Sequence, residues 1–146
     1  MINIVLKGVD EFLGADVEKV LLPQVSKVLN IPLNEIIVTC LHSMIYHDGV
    51  DQTSFHMVVT FEMERKFQEF EKKLIKCVLD NTKNFSVHAH VNFLYLSETY
   101  SRIDEDYPLF VTSSNEVVIE DEIDETEEEI YTGDVFADFE KQLKKN

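Results

Sequence analysis

The sequence predicts an α/β (α+β) fold in which two β-α-β units form a four-stranded sheet with two helices on one face. The main observation is a change of hydrophobic period. Residues 55–61 are mostly β-branched, aromatic or apolar, as in a strand, whereas the apolar residues after Glu64 recur at helical spacing. An earlier stretch, residues 2–46, has the same order of strand, helix and strand. Residues 86–96 alternate strictly and complete the second unit.

The first unit opens with a strand at residues 2–7. Apolar residues over 17–29 then repeat at helical spacing, and Asp16 is the predicted N-cap. Pro23 falls inside this stripe, and a proline in a helix interior costs about 3 kcal/mol. Because the stripe continues beyond Pro23, we expect one kinked helix rather than two helices, closed at Asn30.

A second strand is predicted over residues 36–46, and the sequence at 47–49 supplies turn residues after it. The second unit follows, with a strand at 55–61, an amphipathic helix over 67–79 and a last strand at 86–96. Both helices should cover one face of the sheet, because each crosses over between parallel strands. The other face is semi-polar and must meet water or another subunit.

The acidity of the chain is concentrated in its C-terminal part. The net charge is −15, and residues 109–146 hold 12 of the 28 acidic residues but only three of the 13 lysines and arginines. We therefore divide the chain into a domain at 1–108 and an acidic tail at 109–146. Residues 120–129 contain eight acids and are expected to be disordered or solvated. A short edge strand is predicted at 117–119 and a terminal helix at 134–145.

The negative charge argues against nucleic acid or an anionic membrane as a main partner. No apolar run approaches the roughly 20 residues needed to span a bilayer, and the first residues are too polar for a signal peptide. Cys40 and Cys77 form no CxxC pair and are expected to be buried free thiols in a reducing cytosol. We expect a cytoplasmic protein with no cofactor and no nucleic-acid or membrane partner.

The histidines supply the most direct metal-binding pattern. His88 and His90 share one face of the last strand and could bind a metal if a third ligand converged from His42, His47 or His56. Nothing in their spacing requires that convergence, so we expect polar side chains on a semi-polar face and no metal. The four glycines are isolated in sequence, which argues against a phosphate-binding loop.

Arg65 is the side chain that we single out for ligand binding. It is one of only two arginines, and it stands where the third strand ends and the second helix begins. Helix starts favour anions, and an arginine there can hold a carboxylate in a bidentate pair. The alternative is a surface ion pair between Arg65 and a neighbouring glutamate.

Several diffuse motifs lie within residues 1–108. They are Ile2–Lys7 followed by Gly8-Val9, a helix closed by Asn30-Ile-Pro32, Tyr46-His-Asp-Gly49, Phe61-Glu-Met-Glu-Arg65, and Val91-Asn-Phe93 followed by Tyr100. In these motifs the chain resembles the tautomerase superfamily, which includes 4-oxalocrotonate tautomerase and macrophage migration inhibitory factor. It resembles more closely a small bacterial family of unknown function that shares this fold.

The resemblance implies a homo-oligomer, a trimer whose sheets line a central barrel with the helices outside. It also implies pockets at subunit edges near each N-terminus. Met1, Arg65 and Tyr100 are therefore our candidate ligand-binding residues.

The chain departs from this superfamily at its second residue. The superfamily's catalytic residue is a proline exposed by removal of the initiator methionine, and its amine moves a proton on a keto or enol acid. This chain has Ile2 there, and a bulky second residue disfavours removal of Met1. No residue is therefore predicted to be catalytic. We expect a non-catalytic protein, or a weakly active isomerase of small keto-enol acids, that binds a small carboxylate.

Two other functions stay open on the sequence alone. The acidic tail and terminal helix could recruit a partner protein, which would make the chain an interaction module. The same order of elements also suits a ferredoxin-like domain that acts as a regulatory ligand sensor. Strand order separates the two folds, because a ferredoxin-like sheet interleaves antiparallel strands and the favoured fold keeps parallel neighbours within each half.

Overall fold

The structure is a computed structural model that describes residues 1–112, 114 and 115. The elements follow the order β1 (Ile2–Lys7), α1 (Glu11–Leu29), a 3₁₀ turn (Leu33–Glu35), β2 (Ile36–Cys40), β3 (Tyr46–His47), β4 (Val50–Asp51), β5 (His56–Glu64), a 3₁₀-helix (Arg65–Phe70), α2 (Glu71–Asn81) and β6 (His88–Leu96). Residues Met1–Leu109 form one unit, and a second begins at Phe110. The edge strand, acidic run and terminal helix predicted at 117–145 lie outside the described residues.

Two β-α-β units meet in one four-stranded sheet of order β2-β1-β5-β6. β1 pairs in parallel with β2, and β5 pairs in parallel with β6. The two halves join where β1 and β5 run antiparallel, with Ile4 opposite Phe61. The predicted fold of two β-α-β units is therefore confirmed. The parallel neighbours within each half also exclude the ferredoxin-like alternative.

The core lies between one face of the sheet and the two helices. Burying a large apolar side chain contributes about 1.5–3 kcal/mol, so this shared core holds helices and sheet together. Its fully buried members are drawn from both halves of the chain and include Ile2, Ile4 and Leu6 from β1, Val17, Leu21 and Val25 from α1, Met57, Val59, Phe61 and Met63 from β5, and Leu74 and Val78 from α2.

Helix α1 begins earlier than the sequence predicts. Its N-cap is Asp10, whose side chain accepts a 2.7 Å hydrogen bond from the backbone N–H of Leu13. The predicted N-cap at Asp16 is therefore wrong. An Asp at this position contributes about 1 kcal/mol, because it satisfies a helix-end donor. The prediction of one helix through Pro23 is confirmed, and the helix ends at Asn30 in the left-handed conformation, with φ 53°.

The second strand ends at Cys40 and not at the predicted Tyr46. β2 depends on β1 for its hydrogen-bonded neighbour, and the last residue pair between them joins Leu6 to Cys40. Gly8, with a left-handed φ of 77°, follows the end of β1, so β2 loses its partner there. The chain instead forms a separate hairpin of β3 and β4, closed by the predicted turn at 47–49.

The second half differs from its prediction at the ends of its elements. β5 runs to Glu64, beyond the predicted end at Phe61, because all nine of its residues pair with β6. The 3₁₀-helix Arg65–Phe70 precedes α2, so the predicted single helix has two geometries. β6 begins two residues late, at His88, because Ser86 is buried and its hydroxyl bonds to two backbone carbonyls. None of the described helices is long and apolar enough to cross a membrane.

Candidate functional site

A cavity of about 340 Å³ opens where the parallel strands β5 and β6 both end. Its wall comes from two short segments, Glu64–Lys66 at the start of the 3₁₀-helix and Tyr95–Ser97 at the end of β6. Small-ligand sites typically enclose roughly 300–1,000 Å³, so the cavity is large enough for a small molecule. It is the candidate ligand site, and Arg65 forms part of its wall.

Arg65 stacks on an aromatic ring. The Cζ atom of Arg65 lies 5.4 Å from the centroid of the Tyr95 ring, a distance at which the ring quadrupole attracts a guanidinium. The neighbouring Glu64 pairs with Lys66 at 3.0 Å. Among the described residues no carboxylate forms an ion pair with Arg65, so the alternative of a surface pair is not found there.

Tyr95 is held at its other end by α2. Its hydroxyl donates a hydrogen bond to Oε1 of Glu71, the first residue of that helix. Burial, followed by the hydrogen bond and the negative charge of Glu71, raises the pKa of Tyr95 to about 12, although Arg65 acts to lower it. At neutral pH the phenol is therefore protonated and donates to Glu71, which keeps its ring beneath Arg65.

The strand register brings Met1 to the same end of the sheet. Asn3 pairs with Glu62 across the antiparallel strands β1 and β5. Continuing that register by two residues in each strand places Met1 level with Glu64, one residue before Arg65. The two residues thus lie toward the same end of the sheet, although Met1 does not line the cavity beside Arg65.

Tyr100, the third candidate, lies in an exposed segment after β6. Its side chain is 87% exposed, and its hydroxyl donates to Glu98, a hydrogen bond that raises the pKa of Tyr100. Tyr100 does not line the cavity beside Arg65. Its role in ligand binding stays a prediction.

Three histidines come together on the open face of the sheet. His56 pairs in register with His88 across β5 and β6, and Nδ1 of His56 lies 3.0 Å from Nε2 of His90. Partial desolvation, followed by the nearness of His88, His90 and His47, lowers the pKa of His56. In this orientation the rings stack and hydrogen bond, and across residues 1–112 no three His, Cys, Asp or Glu side chains are arranged to hold a metal ion.

The two cysteines are free, but only one is shielded from solvent. Cys40 is exposed at the end of β2, so its predicted burial is wrong, and Cys77 is half-buried on α2. Partial burial and then nearby acids raise the pKa of both thiols. A raised pKa disfavours the thiolate, so neither cysteine has the character of a nucleophile.

No protein-family model and no curated protein sequence matches the chain. Solved structures do. A domain of unknown function (DUF1904) from Sebaldella termitidis is similar with a TM-score of 0.61 and 14% identity, over 69% of this chain and 95% of that one. A protein of unknown function from Vibrio cholerae is similar with a TM-score of 0.57 and 16% identity, over 70% and 84%. A macrophage migration inhibitory factor-like protein from Entamoeba histolytica is similar with a TM-score of 0.52 and 12% identity, over 68% and 93%. The chain has a tautomerase-like fold.

The tautomerase-like fold confirms the resemblance that the sequence motifs indicate. At identities of 12–16% the likeness concerns the fold alone. The function of this tautomerase-like chain therefore has to be argued from its own residues, above all from the cavity beside Arg65.

Replacing Glu71 should change the titration of Tyr95. In Glu71→Gln we expect the pKa of Tyr95 to fall below about 12, because the anionic acceptor is lost, but to stay above the unperturbed value of about 10, because burial is the largest cause of the shift and remains. The ¹³Cζ chemical shift of Tyr95, followed as the pH rises from about 9 to about 11.5, would show the earlier titration of the phenol in Glu71→Gln. Glu69→Gln, at an exposed position on the same segment, is the control and should leave Tyr95 unchanged.

The same shift has a consequence for stability. The folded pKa lies above the unfolded value of about 10, so the contribution of Tyr95 is complete below pH 10 and is lost as the pH rises toward 12. Glu71→Gln should weaken this alkaline loss of stability. A wild-type Tyr95 that already titrates near pH 10 would contradict the described contact with Glu71.

Proposed function

We propose that the chain is a tautomerase-like protein that binds a small carboxylate, such as a keto or enol acid, in the cavity beside Arg65. The supporting observation is the Arg65 guanidinium, which lines the cavity and has no ion-pair partner among the described residues. A guanidinium binds a carboxylate through two parallel N–H···O bonds, which give both strength and orientation.

The charges around the cavity favour an anion. Its wall contains the two cationic side chains Arg65 and Lys66 and the single anionic side chain Glu64. Lys66 already neutralises Glu64, so the Arg65 charge is left for a ligand. This locally positive site is unusual in a chain with a net charge of −15. It gives an anionic ligand one favourable place to bind.

The remaining wall suits the carbon skeleton of such an acid. The ring of Tyr95 and the side chain of Leu96 supply apolar surface next to the guanidinium. Because Tyr95 is tied to Glu71 and Arg65 lies over Tyr95, the guanidinium is already positioned before a ligand arrives. Positioning in advance reduces the entropy that the side chain loses on binding.

We propose that catalysis is absent or weak. The catalytic group of the superfamily that the sequence resembles is an N-terminal proline, whose ring fixes the geometry of its amine. Ile2, buried in the core, leaves no proline at the second position.

Removing the Arg65 guanidinium should weaken carboxylate binding. We expect the affinity for phenylpyruvate, measured by calorimetry on the full chain, to fall by about tenfold or more in Arg65→Ala, because charge-assisted hydrogen bonds contribute about 1.5–3 kcal/mol. Arg65→Lys should be intermediate, since it keeps the charge but loses the bidentate fork. Arg102→Ala removes the only other arginine, also exposed, and should bind as the wild type does.

Turnover assays separate binding from catalysis. We expect little or no conversion of phenylpyruvate or 2-hydroxymuconate by the wild-type chain. A robust rate that Arg65→Ala abolishes would overturn the non-catalytic part of the proposal while keeping the site. Equal phenylpyruvate affinity in wild type and Arg65→Ala would reject the site itself.

We also propose that the chain forms a homo-trimer through the open face of its sheet. That face combines exposed apolar side chains with a polar network. Leu94 is 50% exposed and Ile37 36% exposed, while Asn3 donates to Glu62 and accepts from Thr39, each at 2.8 Å. Apolar and hydrogen-bonding groups on one surface are typical of protein interfaces.

The mass of the assembly tests this proposal. We expect sedimentation equilibrium to give about 51 kDa, three times the chain mass of 17.0 kDa. Leu94→Lys places a charge on the open face and should shift the mass toward one chain. Phe12→Lys is the control, because Phe12 is 79% exposed on α1, away from the open face. A monomeric wild type would reject the trimer.

A further inference from the structure

We propose that His56, His88 and His90 form a binding site for a divalent transition-metal ion of the nickel, copper and zinc group. The three residues lie where β5 and β6 begin, at the opposite end of these strands from the Arg65 cavity. The site is therefore separate from the proposed carboxylate site and does not depend on it.

Two of the nitrogens already have the spacing of metal ligands. Nδ1 of His56 and Nε2 of His90 are 3.0 Å apart and share a hydrogen bond. Two imidazole nitrogens at about 2.0–2.1 Å from one metal are about 2.9 Å apart at a right angle and about 3.4 Å apart at a tetrahedral angle. A metal ion can thus replace the shared proton with a change of a few tenths of an ångström in this distance.

Binding requires the imidazole rings to rotate. In the hydrogen bond both nitrogens point along the line that joins them, whereas in a metal site they point to a common ion. The χ2 torsion of histidine is broad, so such a rotation costs little for side chains on an open face. In the single chain His90 is exposed and His56 is half-buried, which leaves room for it.

His88 supplies the third nitrogen. Its ring centroid lies 4.7 Å from that of His56, its register partner on the neighbouring strand. Nine consecutive residue pairs hold β5 and β6 together, so the backbone positions of all three histidines are rigid. Sites on paired strands keep their geometry better than sites on loops.

The donor set determines the class of metal. Imidazole nitrogen suits nickel, copper and zinc, whereas magnesium and calcium prefer oxygen ligands. The neutral imidazole is the form that binds metal, so binding should strengthen as the pH rises through the ordinary histidine range. The net charge of −15 also attracts cations to the chain.

Nickel titration of the full chain tests the site. We expect calorimetry at pH 7.5 (about one unit above an ordinary histidine pKa) to show one strong Ni²⁺ site per chain. His90→Gln and His56→Gln should each weaken it by about tenfold or more, because each loses a ligand. His42→Gln is the matched control, since His42 is exposed and outside the cluster, and it should bind as the wild type does. Circular dichroism of every variant establishes that it is folded.

Histidine NMR signals and Mg²⁺ binding test further whether the imidazoles bind the nickel ion. The ring signals of His56, His88 and His90 should broaden on adding Ni²⁺ in ¹H–¹³C spectra, while the His42 signal stays sharp. Mg²⁺ should bind wild type and variants alike, because it reports on carboxylates rather than imidazoles. Wild type without a strong Ni²⁺ site would overturn the proposal. So would Ni²⁺ affinity that is unchanged in His90→Gln and His56→Gln, or that falls equally in His42→Gln.

Discussion

The antiparallel pairing of β1 with β5 is the constraint on which the rest of the structure depends. Each half of the domain forms its own parallel pair, and the β1–β5 pairing alone joins the halves into one sheet. Because side chains alternate along a strand, its register decides which residues face the helices and which face outward. The same register places Met1 level with Glu64. The core, the open face and the end that bears the cavity therefore follow from one set of cross-strand pairs.

The two ends of β5 and β6 present different chemistry. At the C-terminal end, Arg65 lies over Tyr95 and has no carboxylate partner among the described residues, which suits an anion. At the N-terminal end, three imidazoles meet on the open face, which suits a metal cation. Both proposed sites lie on strands held by nine residue pairs, so neither needs a mobile loop to assemble it.

The local pattern of the sequence predicts the elements, but not their long-range pairing. Strict alternation in β6 and the helical stripe of α1 are encoded by neighbours in sequence, so both units and their parallel strands are predicted correctly. The N-cap of α1 is not predicted correctly because Gly14 lies in the first turn of the helix, and glycine is a poor helix former. The sequence therefore gives no clear helical signal directly after Asp10. The sequence predicts which residues are candidates for the two proposed sites, but not their contacts. The position of Arg65 at a strand–helix junction is visible in the sequence, whereas its stacking on Tyr95 and the approach of His56 to His90 depend on the pairing of β5 with β6.

Cross-strand nuclear Overhauser effects in a uniformly labelled chain test the central claim most directly. The β1–β5 register predicts backbone contacts between Asn3 and Glu62 and between Val5 and Thr60. Contacts of β1 with β6 in place of β5, or a shifted register between β1 and β5, would contradict the account.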